Sequence, residues 1–575
     1  MNGGEIIARL LKQQGVKFLF TLSGGHISPI FVEAEKQGIR VIDTRHEVTA
    51  AFAADAVARL TGIPGVVAVT AGPGITNTIT AIKNAQLAQS PVILLGGAVA
   101  TLLKGRGALQ DVDQVTLMHS VVKWSARITK VKDIEPMLSK AFYKACQGVP
   151  GPVFVECPVD ILYPEYIVRE WYGIKTQAVP PKNIFEHVKQ WYIRRHARKL
   201  FEGKTEVDAT LPRRVPAVPL HSSSELKKAI EHLNAAAKPL LLIGSGAIMN
   251  PQKAEALAQA VNQLGIPVYL SGMARGLLGR NHPLQLRHHR KEAIREADLI
   301  ILAGVPNDFR LDYGNHIGRR AFISVNRSYD DLYKNKKPTL PVLADPLEFL
   351  TAIAKHYRGD HAIWLNQLRA RDDQRETSIK KMSEEVQTGI NPLKLFKQLD
   401  THLDKNTVLV ADGGDFVATA AYTLRPSAPL AWLDPGVFGT LGIGAGFALG
   451  AKLVFPEKDV WILYGDGSAG YSLMEFDTFV RHNLPVMTVI GNDGCWSQIA
   501  RDQIAILNSD CAVNLQQANY EQVGQAFGSE GERVENIETF TASVTRAIAK
   551  SRAGVPYIIN AIISKSDFRK GSLSM

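Results

Sequence analysis

Cysteine is scarce in this chain. The 575 residues hold four, Cys146, Cys157, Cys495 and Cys511, and no two form a C-x-x-C pair. That spacing signals neither a zinc site nor a dithiol redox motif, and reduced thiols suit a cytoplasmic protein, the expected localisation. Uninterrupted apolar runs of about 18 residues are absent, so no membrane span is predicted. The opening residues, MNGGEIIARLLKQQGVKFLF, lack a charged head followed by an apolar core, so no secretory signal is expected. Also missing are a tandem repeat of solenoid period and a complete G-x-G-x-x-G with an acidic partner about 20 residues on, which disfavours an NAD dehydrogenase. The net charge is +11, without zinc-finger or RRM spacing. The charge therefore suits phosphorylated cofactors or coenzyme A, and no nucleic-acid partner is expected.

Apolar residues make up 46% of the chain and charged residues 21%, the profile of a protein with large cores. Short apolar runs ending in glycine or polar turns alternate with helical patterns. The expected fold class is α/β, with three doubly wound parallel-sheet domains. Residues 1–165 contain the runs KFLFTLSGG, RVIDTRHE, GVVAVTAGPG, PVILLGG and PVFVECP. Residues 166–220 read as a basic linker with a Pro-Pro break before a helix, in which Ile184, Val188 and Trp191 share helical spacing. Such a helix can lie on a membrane surface; docking against the protein's own domains is the favoured expectation. Residues 221–365 form a central Rossmann-like unit, 366–390 a linker helix, and 391–575 a third α/β unit. In the central unit Gly244 and Gly246 give only part of a dinucleotide fingerprint.

Asp466, in YGDGS, ends an apolar run. A buried carboxylate there must be paired or hold a cation, because left alone it costs several kcal/mol. Asn492 and Asp493 follow another apolar run 26 residues on. Adjacent parallel strands would bring both to one sheet edge, where oxygen ligands could hold Mg²⁺ on a diphosphate. The glycines would let backbone N–H groups approach the anion. A tight turn and a helix cap are the bland alternatives. Glu47 follows the run RVID and opens an Ala-rich helix. It reads either as a buried, proton-holding carboxyl or as a first-turn acid favoured by the helix dipole.

GDG followed by Asn-Asp resembles the diphosphate motif of thiamine diphosphate (ThDP) enzymes. The resemblance extends to RHE at 45–47, TAGPGITNTITAIKNAQLAQSPVILLGG at 70–97, GALQDVDQ at 107–114 and FGTLGIGAGFALGAKL at 438–453. The order resembles the acetolactate synthase / 2-hydroxyacyl-CoA lyase branch, with pyrimidine-binding, central and diphosphate-binding domains. GGHISP, DTRHEVTA, SGMARGLLGRNHP, GNDGCWSQI and SDFRKGS carry a closer match to its acetolactate synthase-like lyases. A transmembrane N-terminus expected in animal members is missing, so a soluble protein is expected.

The resemblance implies roles. Glu47 would activate the cofactor's pyrimidine ring from a partner subunit, so the expected assembly is at least a homodimer and, more fully, a homotetramer. Gln110 would face the substrate, and His26 is a candidate acid–base group or a structural histidine. Gly25, Asn77, Gly414, Asp415, Phe416, Gly439, Asp466, Gly467, Ser468, Asn492, Gly494 and Trp496 are candidate cofactor contacts. Leu441 would bend the cofactor. The metal would take Asp466 with either Asn492 and the Gly494 carbonyl, or Asp493 and the next carbonyl. Cys495 and Arg569 are candidate substrate contacts, Arg569 for a coenzyme A tail. The central domain would hold ADP or FAD, although Asn326 stands where relatives often carry an acid for ribose. The expected reaction is Mg²⁺- and ThDP-dependent cleavage of a 2-hydroxyacyl-CoA to formyl-CoA plus an aldehyde or ketone, or the reverse condensation. Acetolactate formation from pyruvate is the alternative, and a non-catalytic nucleotide-binding scaffold is disfavoured by Glu47, Asp466 and Asn492.

Overall fold

Three six-stranded, all-parallel sheets organise the chain. The computed structural model describes residues 2–174, 183–203 and 215–570. The Pro180–Pro181 break, residues 204–214 of the expected linker and the 571–575 end of the basic tail lie outside the described residues. The chain divides into two compact bodies, Met1–Ala58 with Ile63–Pro216, and Arg59–Gly62 with Ala217–Met575.

The first body holds strands β1 (Phe18–Thr21), β2 (Arg40–Asp43), β3 (Gly65–Val69), β4 (Val92–Ala98), β5 (Trp124–Arg127) and β6 (Val153–Pro158). They lie in the order β2-β1-β3-β4-β6-β5. Strands β3, β4 and β6 are buried along their whole length, as the continuous apolar runs dictate for strands covered on both faces. The order reverses between β1 and β3, and the loops leaving the carboxyl ends of those strands flank the crevice where such sheets take ligands.

The second body carries two sheets. The central one contains β7 (Pro239–Ile243), β8 (Val268–Leu270), β9 (Gln285–Leu286), β10 (Leu299–Ala303), β11 (Ala321–Asn326) and β12 (Leu340–Leu343). Its order, β12-β11-β10-β7-β8-β9, is the dinucleotide-binding arrangement read from its far edge. The Gly244 and Gly246 turn packs on Gly304 so closely that a Cβ on Gly244 would stand 2.6 Å from the Gly304 carbonyl. Those glycines serve the contact between two strand-end turns.

The third sheet contains β13 (Thr407–Asp412), β14 (Trp432–Leu433), β15 (Asp459–Gly465), β16 (Met487–Asn492), β17 (Glu530–Val534) and β18 (Tyr557–Ile562). Its order, β14-β13-β15-β16-β18-β17, repeats the first sheet's topology strand for strand. The charged stretch expected as a linker helix forms part of the helix Ala362–Ser383.

The basic linker does form a helix, Ile184–Phe201. Its docked face differs from the expected one. Ala197 and Leu200 are buried, whereas Ile184, Val188 and Trp191 face outward. Leu200 joins the first body's core and Phe201 packs against it. Among the described residues no helix is long and apolar enough to cross a membrane.

Candidate functional site

In the first body, Glu47 begins the helix Glu47–Thr61, after β2. It is only 6% exposed. Asn77, after β3, donates its Nδ2–H to Glu47 Oε2 at 2.9 Å. The expected pyrimidine contact is therefore a direct partner of the expected activating acid, and its amide fixes the direction of that carboxyl. His26 follows β1, and its Nδ1 lies 3.1 Å from Thr70 Oγ1 beyond β3. Burial lowers the imidazole's proton affinity, favouring the neutral ring. Gly25 is exposed, its carbonyl accepts from the Tyr163 hydroxyl at 3.1 Å, and nothing would obstruct a side chain there.

Gln110 adopts φ +66, uncommon for a non-glycine residue. It lies against Gly72, itself at φ +60, where a Cβ would approach the Gln110 carbonyl to 3.0 Å. A buried glutamine not singled out from the sequence, Gln114, holds this corner. Its Oε1 accepts the Gly72 N–H at 2.7 Å, and its Nε2–H groups donate to the Gly97 carbonyl at 3.0 Å and to Glu156 at 3.1 Å. Glu156 is fully buried and pairs with Arg127 and Lys104. The only signal in the sequence was the position of Gln114 within GALQDVDQ.

In the second body, β15 and β16 are adjacent and in register, with Gly465 opposite Gly491. Asp466 and Asp493 thus leave the same sheet edge. Asp466 is buried. Its Oδ1 accepts the Gly467 N–H and its Oδ2 the Gly494 N–H, each at 2.8 Å. Burial, with the Asp493 charge second, raises its pKa to about 6. Burial also raises that of Asp493, which accepts from Cys495 N–H and the Ser497 hydroxyl. Two acidic oxygen donors repelling one another in a buried loop fit a divalent cation, which would favour both charges. Among the described residues no cluster of three or more His, Cys, Asp or Glu side chains is placed to hold a metal, so a cation here would need carbonyl and ligand oxygens as well.

The two candidate ligand pairings are unequal. Asn492 directs its amide to Asn560 Oδ1 and the Ala518 carbonyl, both at 3.1 Å, while its own Oδ1 is buried without a partner. The Gly494 carbonyl accepts Leu515 N–H at 2.7 Å. Asp493, unlike Asn492, adds its charge to that felt by Asp466.

Several expected cofactor contacts also have partners within the chain. Ser468 donates to the Asp412 carbonyl at 2.6 Å and lies 2.9 Å from that of Gly465, tying the ends of β13 and β15. Phe416 packs against Gly491 and Phe396, with ring centroids 4.4 Å apart in the second pair. Asp415 pairs with Arg501. Gly467 is glycine because a Cβ would stand 2.4 Å from the Trp496 ring. At Gly414 a Cβ would meet Gln498 Oε1 at 2.6 Å.

Asp412 is a buried acid that was not singled out from the sequence. It ends β13, fully buried, and accepts the N–H groups of Gly442 at 3.1 Å and Gly444 at 2.7 Å. Burial raises its pKa to about 7 against those donors. The loop it holds carries half-buried Leu441 and exposed Gly439, whose φ of +64 suits glycine. VADGG, like YGDGS, puts an Asp directly after an apolar run.

Two of this body's cavities lie near the expected substrate contacts. One, of about 700 Å³, is lined by Cys495, Arg501, Lys565 and Phe568. The other, of about 730 Å³, is lined by Arg275, Arg287, Arg290, Arg375, Arg425 and Arg569. The Arg569 guanidinium sits over Tyr422 at 4.5 Å, and burial lowers Arg287 to about 10. Cys495 and Arg569 therefore line different cavities.

Comparison with known proteins agrees with these features. Residues 1–117 match the "Thiamine pyrophosphate enzyme, N-terminal TPP binding domain", 226–353 the central domain and 412–561 the C-terminal TPP binding domain. The chain is 47% identical over 588 residues to "2-hydroxyacyl-CoA lyase 2" of Caenorhabditis elegans, covering all of this chain and 91% of that protein. It is 46% identical over 586 residues to the Homo sapiens protein of that name, covering all of this chain and 92% of the relative. A "Probable acetolactate synthase" of Mycobacterium bovis is 33% identical over 568 residues, 98% of this chain and 96% of its own.

Proposed function

Because the chain belongs to the thiamine pyrophosphate enzyme family, we propose that it is a ThDP- and Mg²⁺-dependent 2-hydroxyacyl-CoA lyase. The reaction breaks the bond between the hydroxyl-bearing carbon and the thioester carbon. The hydroxyl carbon leaves as an aldehyde or ketone after losing its O–H proton. The thioester carbon gains a proton and leaves as formyl-CoA. The reverse reaction is a condensation. When bound, the cofactor supplies the electron sink for the charge left on the thioester carbon.

The chain's residues supply position and proton control. Glu47, with its carboxyl held by the Asn77 amide, keeps a proton at a pyrimidine ring nitrogen. Asp466, Asp493 and the Cys495 carbonyl would hold Mg²⁺, whose charge would offset that of the diphosphate. Leu441, on the loop fixed by Asp412, would bear against the cofactor, and Gln110 and His26 would face the reacting groups. Glu47 of one chain serves the diphosphate half of a second, so the active unit is at least a homodimer, with a homotetramer as the full assembly.

The substrate class rests on the arginine-lined cavity. Six guanidinium groups in one concavity suit the phosphates and adenine of a coenzyme A tail through charge-assisted hydrogen bonds and stacking. ADP or FAD in the central sheet has less support. The glycines of its GSG turn are occupied by Gly304, and Asn326 Oδ1 accepts Ser328 N–H at 2.9 Å.

A substrate series tests the assignment. A short 2-hydroxyacyl-CoA should be cleaved with a KM at least roughly tenfold below that of its pantetheine thioester, which lacks the nucleotide. Equal KM values would remove the cavity from the account. Acetolactate from pyruvate, with both thioesters untouched, would replace the lyase by an acetolactate synthase.

A further inference from the structure

The helix Ile184–Phe201 has two unlike faces. Ala197 and Leu200 are buried, while Ile193 and His196 are half-buried beside them. On the opposite face, Ile184, Phe185, Val188, Trp191 and Tyr192 are exposed, from 52% for Tyr192 to 85% for Ile184. At 100° per residue these five fall within one stripe along the first turns. Arg195 and Lys199 continue that stripe toward the C-terminal end, with Arg194 and Arg198 beside it; all four are exposed. Arg195 lies over the Trp191 ring at 5.1 Å.

The charge says what covers this face. The helix carries Lys189, Arg194, Arg195, Arg198 and Lys199 against the single acid Glu186. Packing of this helix on its own copy across a twofold axis would bring the basic run against itself or against the other copy's apolar end, and both arrangements are unfavourable. An anionic lipid surface satisfies both halves. Acyl chains accept the aliphatic and aromatic side chains, while lipid phosphates accept the guanidinium and ammonium groups. Trp and Tyr favour that boundary because each combines an apolar body with a polar tip.

We propose that this helix is a peripheral docking element for anionic membrane surfaces, lying in the interface with its Phe185–Trp191 face inserted. This does not depend on the reaction catalysed. It would keep an enzyme without a described membrane-spanning helix beside a membrane, reversibly and in a salt-dependent way.

The test is flotation of the full-length, ThDP-loaded protein with vesicles of phosphatidylcholine, with and without phosphatidylserine. The expected result is binding to the anionic vesicles that weakens with salt. It should fall at least roughly tenfold in Phe185→Glu/Trp191→Glu and in Arg194→Gln/Arg195→Gln/Lys199→Gln. Turnover of soluble substrate and oligomeric mass should stay unchanged in both variants, since these side chains are exposed. No flotation of the wild type, or equal flotation of the variants, would overturn the proposal. A drop in oligomeric mass in Phe185→Glu/Trp191→Glu would also overturn it, assigning the face to a second copy.

Discussion

The carboxylate of Asp412 accepts the backbone N–H of Gly444 at 2.7 Å from a fully buried position at the end of β13. With Gly442 N–H on its other oxygen, it fixes the loop that presents Leu441. Asp412→Ala is expected to lower kcat by roughly ten- to a hundredfold through loss of loop position, with a smaller effect on KM. An unchanged kcat would remove this positioning role.

Asp412 also gives a pH signature. Its pKa is raised to about 7 by burial. Between the ordinary carboxylate range and about pH 7, the folded chain keeps a proton that the unfolded chain has released. Stability attributable to this group therefore falls as pH rises through that window, by at most about 1.4 kcal/mol per pH unit, and is flat above and below it. Asp412→Asn should lack the slope. Urea unfolding of cofactor-free wild type and variant across this range measures it, and parallel curves would contradict the burial argument.

Glu47 and Asn77 should act as a pair. Glu47→Gln is expected to lower turnover at least roughly a hundredfold with the fold intact, as for removal of an acid–base group. Asn77→Ala, which removes the 2.9 Å bond, should cost about tenfold in kcat, and much less when made on top of Glu47→Gln. Additive losses in the double variant would show that Asn77 acts independently of the carboxyl.

The metal assignment separates two neighbours. Asp493→Ala should weaken Mg²⁺-dependent ThDP binding at least roughly tenfold by calorimetry. Asn492→Ala should mainly lower Tm, because its amide bonds Asn560 and the Ala518 carbonyl. The reverse pattern would restore Asn492 as the ligand.

At Gly467 the expected effect is steric. A Cβ there would stand 2.4 Å from the Trp496 ring, so Gly467→Ala should destabilise by about 1–3 kcal/mol as the ring moves. Trp496→Ala in the same chain should recover part of the loss if that clash is its source. No change in Tm in Gly467→Ala would refute the packing argument.

The strands legible in the sequence were chiefly the buried ones. The runs around β3, β4, β7, β10, β13, β15, β16 and β18 are apolar because both faces of those strands are covered. β5, β9, β12, β14 and β17 all lie at sheet edges. There short or polar segments suffice, such as WSAR and EGERV, although LPVL in β12 and PLAWL around β14 are apolar. The site followed the same division. Asp466 and Glu47 stood out as acids beside apolar runs. The structural uses of Ser468 and Phe416 were not legible, because they depend on Asp412, Gly491 and Phe396, more than ten residues away in sequence. In the linker helix, the apolar spacing was visible, but not which face would dock.

The most direct test mixes the purified protein with Mg²⁺ and a short 2-hydroxyacyl-CoA, with and without ThDP, and follows the thioester products by mass spectrometry. The account predicts formyl-CoA and the matching carbonyl compound in equal amounts, only when ThDP is present. Intact substrate, from protein shown by calorimetry to hold ThDP, would contradict it.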